Sequence, residues 1–505
     1  MRRLARRAAA LATAATLLAL GAATSALAAD SVYWFDIEQP DPLISRTNLS
    51  GGGGTDILRA NPSVGAFLGI AIDAAAGRIY WIEGDRINFS NLDGSGRQQL
   101  NPAGVRIESP AWLAIDTTAG KLYWFDEKTE DEQEGSDDTE PAIAYANLDG
   151  SGGGHLRATG ATIEFPSGLV VHPAGGKLYW TDSNRSKIGY ANLDGSGGGE
   201  LDTGSAQIDE PFGLAVDAAT QRVYWSNSES GTIGFASLSG GGGGSFQPNG
   251  TGIGFPAGIA IDPAADRLYW SRGGPSPIGF ASLANGSGGG SLDIAGASAP
   301  LLAAANPILL KAPARARTGA VASPVTVLPA YKPGAHFTCG IAWAGDLVEA
   351  NLMQAPQAVA YRWLRNGIPV PGATTTMLSP IEVGQYSCQS TATNFAGSTT
   401  LSGASFTVVS KLKLGKLKLN RKKGTATLSL SVEGPGRVKL AGKGMAPAKR
   451  IARAARTLKL TIRAKGKTKR KLFATGSARI TAKLAFTPSG GKAQMQRRPI
   501  VLKRR

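Results

Sequence analysis

Few residues in this chain are of types that could do acid–base, nucleophilic or metal chemistry. Histidine occurs only three times in 505 residues, as His155, His172 and His336. Catalysis by a metal or a general base needs histidine and carboxylate side chains that converge on one place. The sequence contains neither a nucleophile elbow nor a cluster with metal-ligand spacing. We therefore expect no catalytic, metal-binding or cofactor-binding residues, and we predict that the chain is not an enzyme.

Carboxylates are concentrated in one segment, residues 127–140. Oxygen ligands of this kind bind calcium, but the ligand order of an EF-hand loop is absent. Blocks of like charge are usually solvated, so a solvated loop is the favoured interpretation and a calcium site is the alternative. The acidic residues of the segment include Glu130, Asp131, Glu132, Glu134, Asp137 and Asp138.

The first residues have the pattern of an export signal. Four arginines precede an apolar stretch over residues 8–24, and Ala26-Leu27-Ala28 is a small-residue cleavage site. This predicts a signal peptide over 1–28, with an N-terminal membrane anchor as the alternative. No later stretch reaches membrane-spanning length. In an exported chain, the isolated pair Cys339 and Cys388 indicates a disulfide.

A Tyr-Trp pair recurs at a near-fixed period through the first three hundred residues. The steps from Trp to Trp are 47, 43, 56, 45 and 45, and the acidic segment accounts for the long one. Periods of this size indicate a repeat architecture. The pairs are Tyr33-Trp34, Tyr80-Trp81, Tyr123-Trp124, Tyr179-Trp180, Tyr224-Trp225 and Tyr269-Trp270.

Each repeat predicts a small sheet with tight turns. An apolar strand precedes the Tyr-Trp strand, and seven residues before the Tyr stands an Asp that starts a turn. His172 takes that position in one repeat, and we expect it to be a turn residue. A Leu-Tyr-Trp run puts bulky groups on both faces of its sheet, as in sheets packed face to face around an axis. The turn aspartates are Asp73, Asp116, Asp217 and Asp262.

The repeat resembles a known family. Tyr179-Trp180-Thr181-Asp182, followed by Asn192-Leu193-Asp194-Gly195, is similar to the YWTD repeat, the class B repeat of the low-density lipoprotein receptor family. That resemblance implies a six-bladed β-propeller, which we place over residues 30–310. Only this copy has Thr-Asp after the Tyr-Trp pair, which puts the family's blade-to-blade hydrogen bonds in doubt. The first blade lacks an inner strand, and we expect residues 300–307 to supply it and close the ring.

After a predicted linker at 311–322, residues 323–410 resemble an immunoglobulin-like β-sandwich. Such domains pack a Trp against an inter-sheet disulfide and carry a Tyr two residues before the second Cys. Trp363 and Tyr386 occupy those places beside Cys339 and Cys388. The long interval between Cys339 and Trp363 predicts an enlarged loop around residues 343–356.

The last segment, residues 411–505, is strongly basic. It holds 29 Lys and Arg and one acidic residue, Glu433, a net charge of +28 that leaves −11 for the rest of the chain. Alternating apolar residues, broken by Gly-Pro-Gly at 434–436, predict a small β domain with a wet basic face. The segment resembles lysine-rich C-terminal domains of exported bacterial proteins.

We therefore predict an all-β protein: a propeller, an immunoglobulin-like sandwich and a basic β domain. We predict a secreted or cell-surface binding protein whose propeller recognises a protein or glycan. Basic segments bind polyanions, and the near absence of stacking aromatics favours an anionic cell-envelope polymer or a membrane surface over nucleic acid. The other interpretations are a merely solvated basic surface and a contact with the acidic loop of the chain's own propeller. The alternative function is a propeller hydrolase or lyase of the gluconolactonase or streptogramin-lyase type.

Overall fold

The computed structural model describes residues 30–36, 42–61, 67–126, 142–156, 158–272, 278–297, 308–314 and 330–505. The predicted signal peptide at 1–28 and the acidic segment 127–140 lie outside the described residues. Two compact units are present. The first contains the described residues up to 314 together with 343–358 and 392–399, and the second contains 330–342, 359–391 and 400–505. Almost all regular structure is strand, which confirms the predicted all-β class.

The first unit consists of six sheets, one for each Tyr-Trp pair, and five of them are purely antiparallel. In blades two to six, the strand nearest the axis comes first in the chain and the Tyr-Trp strand follows it. Blades one to three comprise β1 (Ser31–Asp36), β2 (Leu43–Asn48), β3 (Thr55–Arg59), β4 (Phe67–Asp73), β5 (Arg78–Glu83), β6 (Arg86–Asn91), β7 (Gln98–Gln99), β8 (Pro110–Asp116), β9 (Lys121–Asp126), β10 (Ala142–Asn147) and β11 (Gly153–Leu156).

Blades four to six repeat the same order. They comprise β12 (Pro166–His172), β13 (Lys177–Asp182), β14 (Lys187–Asn192), β15 (Gly198–Glu200), β16 (Pro211–Asp217), β17 (Arg222–Asn227), β18 (Thr232–Ser237), β19 (Gly244–Phe246), β20 (Pro256–Asp262), β21 (Arg267–Arg272), β22 (Ile278–Ser282) and β23 (Gly290–Ser291).

The Tyr-Trp strand is the core of each blade. All six tryptophans of the pairs are buried, at most 1% exposed. In blade four the residue opposite Trp180 on the next strand is Gly189, and a Cβ there would lie 2.2 Å from the indole. Glycine at this position therefore lets the indole lie across the neighbouring strand. Gly234 and Gly279 stand in the same relation to Trp225 and Trp270.

The turn aspartates act as predicted. Asp116 Oδ1 accepts hydrogen bonds from the amides of Thr118 and Ala119, and Asp217 and Asp262 accept equivalent bonds. Blade-to-blade hydrogen bonds also form despite the departures from Thr-Asp. Thr181 Oγ1 donates to Phe212 O of the next blade at 2.6 Å, and Ser226 Oγ donates to Ala257 O at 2.5 Å.

The blades form a closed ring. The inner strands contact one another in the order β4, β8, β12, β16 and β20, and β20 then contacts the short strand β24 (Ile308–Leu310). β24 pairs with β1 and so supplies the inner strand of blade one. Strand β1 of the same blade contacts β4 of blade two, which completes the ring. The segment predicted for this role, 300–307, lies outside the described residues. The closing strand thus follows directly after that segment.

A six-stranded sheet and a separate two-stranded sheet, β26–β30, surround the disulfide region. Cys339 and Cys388 are bonded, with their Cα atoms 5.8 Å apart. Trp363 is buried and donates to Thr375 O, while the Tyr386 hydroxyl donates to Glu382 O four residues upstream. The immunoglobulin-like class stays a prediction that these contacts support. The strands are β25 (Ala330–Tyr331), β26 (Phe337–Thr338), β28 (Ala358–Arg365), β29 (Ile368–Pro369), β30 (Met377–Leu378), β31 (Gly384–Asn394), β32 (Gly397–Ser402) and β33 (Phe406–Val408).

The basic segment folds as two small sheets around one apolar core. A three-stranded sheet has the order β34–β35–β38, and a four-stranded sheet has the order β37–β36–β39–β40. Alternate residues of these strands form the core, which includes Leu428, Leu460 and Leu484. The elements are β34 (Leu412–Asn420), β35 (Thr425–Val432), β36 (Gly436–Ala441), β37 (Ala448–Ala452), β38 (Arg456–Arg463), α1 (Lys467–Thr475), β39 (Ser477–Pro488) and β40 (Gln494–Lys503).

No helix within the described residues has the length and apolar character needed to cross a membrane.

Candidate functional site at the propeller axis

A segment far along the chain fills one end of the propeller axis. Residues 343–358, the enlarged loop predicted between Cys339 and Trp363, belong to the propeller unit. Their 3₁₀ turn, Val348–Ala350, contacts the inner strands of four different blades: β8, β12, β16 and β20. Asn351 follows the turn and donates from Nδ2 to Ile259 O at 2.8 Å. We call residues 347–353 the axial plug.

Backbone pairing fixes the plug to blade one. The strand β27 (Leu352–Met353) runs parallel to β24 and extends the sheet of blade one to five strands. The amide of Leu309 donates to Asn351 O, and the amide of Lys311 donates to Met353 O. Leu352 is fully buried, in the same apolar cluster as Val32 and Ile259. The plug is therefore an integral part of the propeller core.

A buried carboxyl group lies at the tip of the plug. Glu349 is 6% exposed, and burial, together with the nearby carboxylates Asp116 and Asp217, raises its pKa to about 7. Its Oε1 lies 3.9 Å from Nδ1 of His172, which is longer than a hydrogen bond. Burial, and then the charge of Lys177, lowers the pKa of His172. Both environments thus favour the neutral forms of Glu349 and His172.

Asp346 holds the base of the plug, and Asp262 bonds the residue after the closing strand. Asp346 Oδ1 accepts the amides of Gln354 and Ala355, both at 2.7 Å. Burial raises the pKa of Asp346 despite these bonds. Asp262 caps its own turn and also accepts Lys311 Nζ at 2.6 Å, next to the closing strand. The turn residues therefore do more than start turns, because they line the end of the axis that the plug occupies.

His172 differs from the turn aspartates that it replaces. It lies at the predicted turn, but its side chain makes no capping hydrogen bond, and left-handed Gly176 closes the 3₁₀ turn after it. Within the described structure, no group of three or more His, Cys, Asp and Glu residues is arranged to hold a metal ion. His155 is exposed, and His336 hydrogen-bonds Ser379.

The opposite end of the axis carries an unusual tryptophan. Four residues before the turn position, four inner strands have glycine (Gly69, Gly168, Gly213, Gly258), whereas blade three has Trp112. Trp112 adopts φ 55°, which is rare for a bulky residue. Its Nε1 donates to Pro166 O of blade four at 2.9 Å, and its ring meets Phe212 of blade five edge-on at 4.9 Å. The indole thus reaches across three blades at the start of the inner strands.

Exposed apolar side chains also stand at the starts of other inner strands. Phe165 and Phe255 directly precede inner strands and are 60% and 69% exposed, and Leu68 near the start of β4 is 40% exposed. Contiguous exposed apolar surface often marks an interaction site. We call Leu68, Trp112, Phe165, Phe212 and Phe255 the apolar mouth. Aligning the repeats would have revealed Trp112, but its sequence context alone did not single it out.

In blades three and four, the carboxylate two residues after the Trp positions the loop before the inner strand. Asp126 accepts the amides of Glu108 and Ser109, which precede β8. Asp182 accepts the amide of Glu164, next to Phe165. These bonds join the Tyr-Trp strand to the loop before the inner strand, so the loop geometry is built into the repeat. The mouth therefore rests on rigid elements.

The sheets and their closed order define a six-bladed β-propeller with a basic β domain at its C-terminal end. No family model matches the chain, and no curated protein matches it. A solved structure of a complex of nidogen and laminin is similar to this chain, with 20% sequence identity, coverage of 50% of this chain and 90% of that chain, and a TM-score of 0.40. The YWTD resemblance stays an interpretation of the repeat residues.

Proposed function

We propose that this chain is an extracellular binding protein whose propeller recognises a protein or glycan at the apolar mouth. The observation that carries this proposal is Trp112, a part-exposed indole held at a strained backbone position where sibling blades have glycine. Strain of this kind clusters at functional sites. Tryptophan is also the residue type most enriched at the energetic centres of interfaces.

The occupied end of the axis supports binding over catalysis. Propeller enzymes need converging ligands at the axis, whereas His172 here packs beneath the plug beside Glu349. The bonded cysteine pair and the predicted signal peptide favour an extracellular location. In this proposal the basic domain attaches the protein to an anionic polymer of the cell envelope by releasing counterions. Turnover of a sugar lactone that is lost in His172→Ala would contradict the proposal.

Trp112→Gly should weaken recognition strongly while preserving the fold. Glycine occupies this position in four other blades and tolerates a positive φ, so we expect no loss of thermal stability. Loss of a central tryptophan should weaken binding by about 30-fold or more. The measurement is capture of a ligand from cell-envelope fractions by the immobilised full-length chain, followed by titration of the purified ligand.

The matched control for this variant is Met377→Ser, which removes an exposed apolar side chain outside the propeller unit. It should bind as the wild type does. Equal binding by Trp112→Gly and the wild type would remove the apolar mouth from the proposal.

A further inference from the structure

The outer face of one basic sheet carries only cations among its charged residues. In the four-stranded sheet β37–β36–β39–β40, alternate residues face the core and the others are exposed. None of the four strands contains a carboxylate. The exposed cations on this face are Arg437, Lys439, Lys449, Arg479, Lys483, Arg497 and Lys503.

The strand register arranges four of these cations in a line across the sheet. Lys449 of β37 lies opposite Lys439 of β36, and Lys483 of β39 lies opposite Arg497 of β40. Lys439 and Lys483 are diagonal neighbours, because Ala441 is the residue opposite Lys483. With strands about 4.8 Å apart, the four cations span about 15 Å, one per strand. We call Lys449, Lys439, Lys483 and Arg497 the cationic stripe.

This arrangement is unfavourable without an anionic partner. Like charges directly opposite each other on neighbouring strands destabilise a sheet, and the stripe contains two such pairs. In the described structure no ion pair joins a stripe residue to a carboxylate; the only carboxylate of the basic segment, Glu433, pairs with Lys413 of the other sheet. A chain of regularly spaced anions laid along the stripe would relieve this repulsion.

We propose that the cationic stripe binds a linear phosphodiester polymer that lacks bases, of the polyol-phosphate type. The inference rests on the proposed attachment function and names its partner class. A line of cations, one per strand, suits a polymer with one negative charge per repeat. Proteins that bind single-stranded nucleic acid stack bases on aromatic rings, and this sheet face presents none. A polyanion without bases is therefore the better match.

The test measures binding of full-length protein to purified poly(glycerol phosphate) at several salt concentrations. Each phosphate contact on a flexible strand makes the slope of log affinity against log salt more negative by about 0.7. We expect a slope of about −2.8 for the wild type, with four contacts. The double variant Lys439→Gln, Lys483→Gln, with two contacts left, should have a slope of about −1.4. Affinity of that variant at low salt should fall by about tenfold or more, since neutralised phosphate contacts dominate such binding.

The control removes the same charge from the other sheet, with Lys459→Gln and Arg463→Gln on the exposed side of β38. It should change the affinity less than about twofold, because only non-contacting charge is lost. Equal losses in both double variants would overturn the stripe while leaving a general basic attachment intact. No binding of the polymer by wild type would overturn the polyol-phosphate class, whereas failure to bind any anionic envelope fraction would overturn the attachment itself. Tighter binding of an equally charged oligothymidylate, or of phosphatidylglycerol vesicles, would overturn the polymer class.

Discussion

Leu352→Ala will lower the free energy of unfolding of the propeller by about 2–5 kcal/mol, the usual cost of truncating a buried leucine. Leu352 has no exposed surface and packs in one cluster with Val32, Leu309 and Ile259, residues from opposite ends of the propeller sequence. A change at the plug should therefore act on the closure of the ring. For a unit of this size we expect the propeller transition in calorimetry to fall by about 5–10 °C.

The control is Leu419→Ala, at a leucine that is 40% exposed in the basic domain. It should leave the propeller transition in place. If Leu352→Ala also leaves that transition unchanged, the plug does not contribute to the propeller core.

Glu349→Gln will stabilise the propeller at alkaline pH by about 3 kcal/mol. The pKa of Glu349 rises from its ordinary value of 4.5 to about 7 in the fold, and each unit of difference is worth about 1.4 kcal/mol. Because the folded pKa is the higher one, folding favours the protonated acid. The penalty is absent below about pH 4.5, grows as the pH rises to about 7, and is constant above that value.

The measurement is the difference in unfolding free energy between variant and wild type from pH 4.5 to 8. His172 is present in both proteins, so its contribution to the unfolding free energy cancels in this difference. That contribution has the opposite trend, because burial lowers the pKa of His172 and the fold loses stability as the pH falls below the unfolded pKa of this residue. Glu229→Gln, at an exposed site, is the control and should show no such growth. A difference that stays flat across this range would contradict a buried, protonated Glu349.

The blades were predictable because each carries its information locally. The Tyr-Trp pair, the turn aspartate seven residues before it and the glycine-rich hairpins all act within about thirty residues. Asp217 and Asp262 form the predicted turn bonds, and every Tyr-Trp strand lies where the repeat places it. A basic residue also recurs directly before the Leu-Tyr-Trp run, as Lys177 does before Leu178. Its ammonium group lies over the Tyr190 ring of the neighbouring strand, so this recurrence indicates cross-strand packing.

The plug was not predictable because its partners are distant in sequence. Asn351 bonds Leu214 O across 137 residues, and nothing in the composition of residues 343–356 marks an axial segment. The closing strand was predictable in part, from the inner-strand pattern of Pro300 to Pro307. Those residues lie outside the described structure, and the described strand β24 begins directly after them, at Ile308, and pairs with β1 and β27.

The cationic stripe was predictable from the sequence only in part. Alternation in β36 and β39 predicts which residues face outward, so the basic face was visible in sequence. Its alignment into a line requires the register between four strands, two of which are separated by more than thirty residues. Sequence therefore predicted the charge of the face but not its geometry.

The most direct test of the plugged propeller is hydrogen exchange at the closing strand. The amides of Leu309 and Lys311 donate to Asn351 O and Met353 O of the plug, at 2.8 and 2.9 Å. In native full-length protein they should exchange as slowly as the amides of the Tyr-Trp strand β13, because opening them requires opening the ring. Exchange of both amides at the rate of exposed loops, with β13 still protected, would contradict the account.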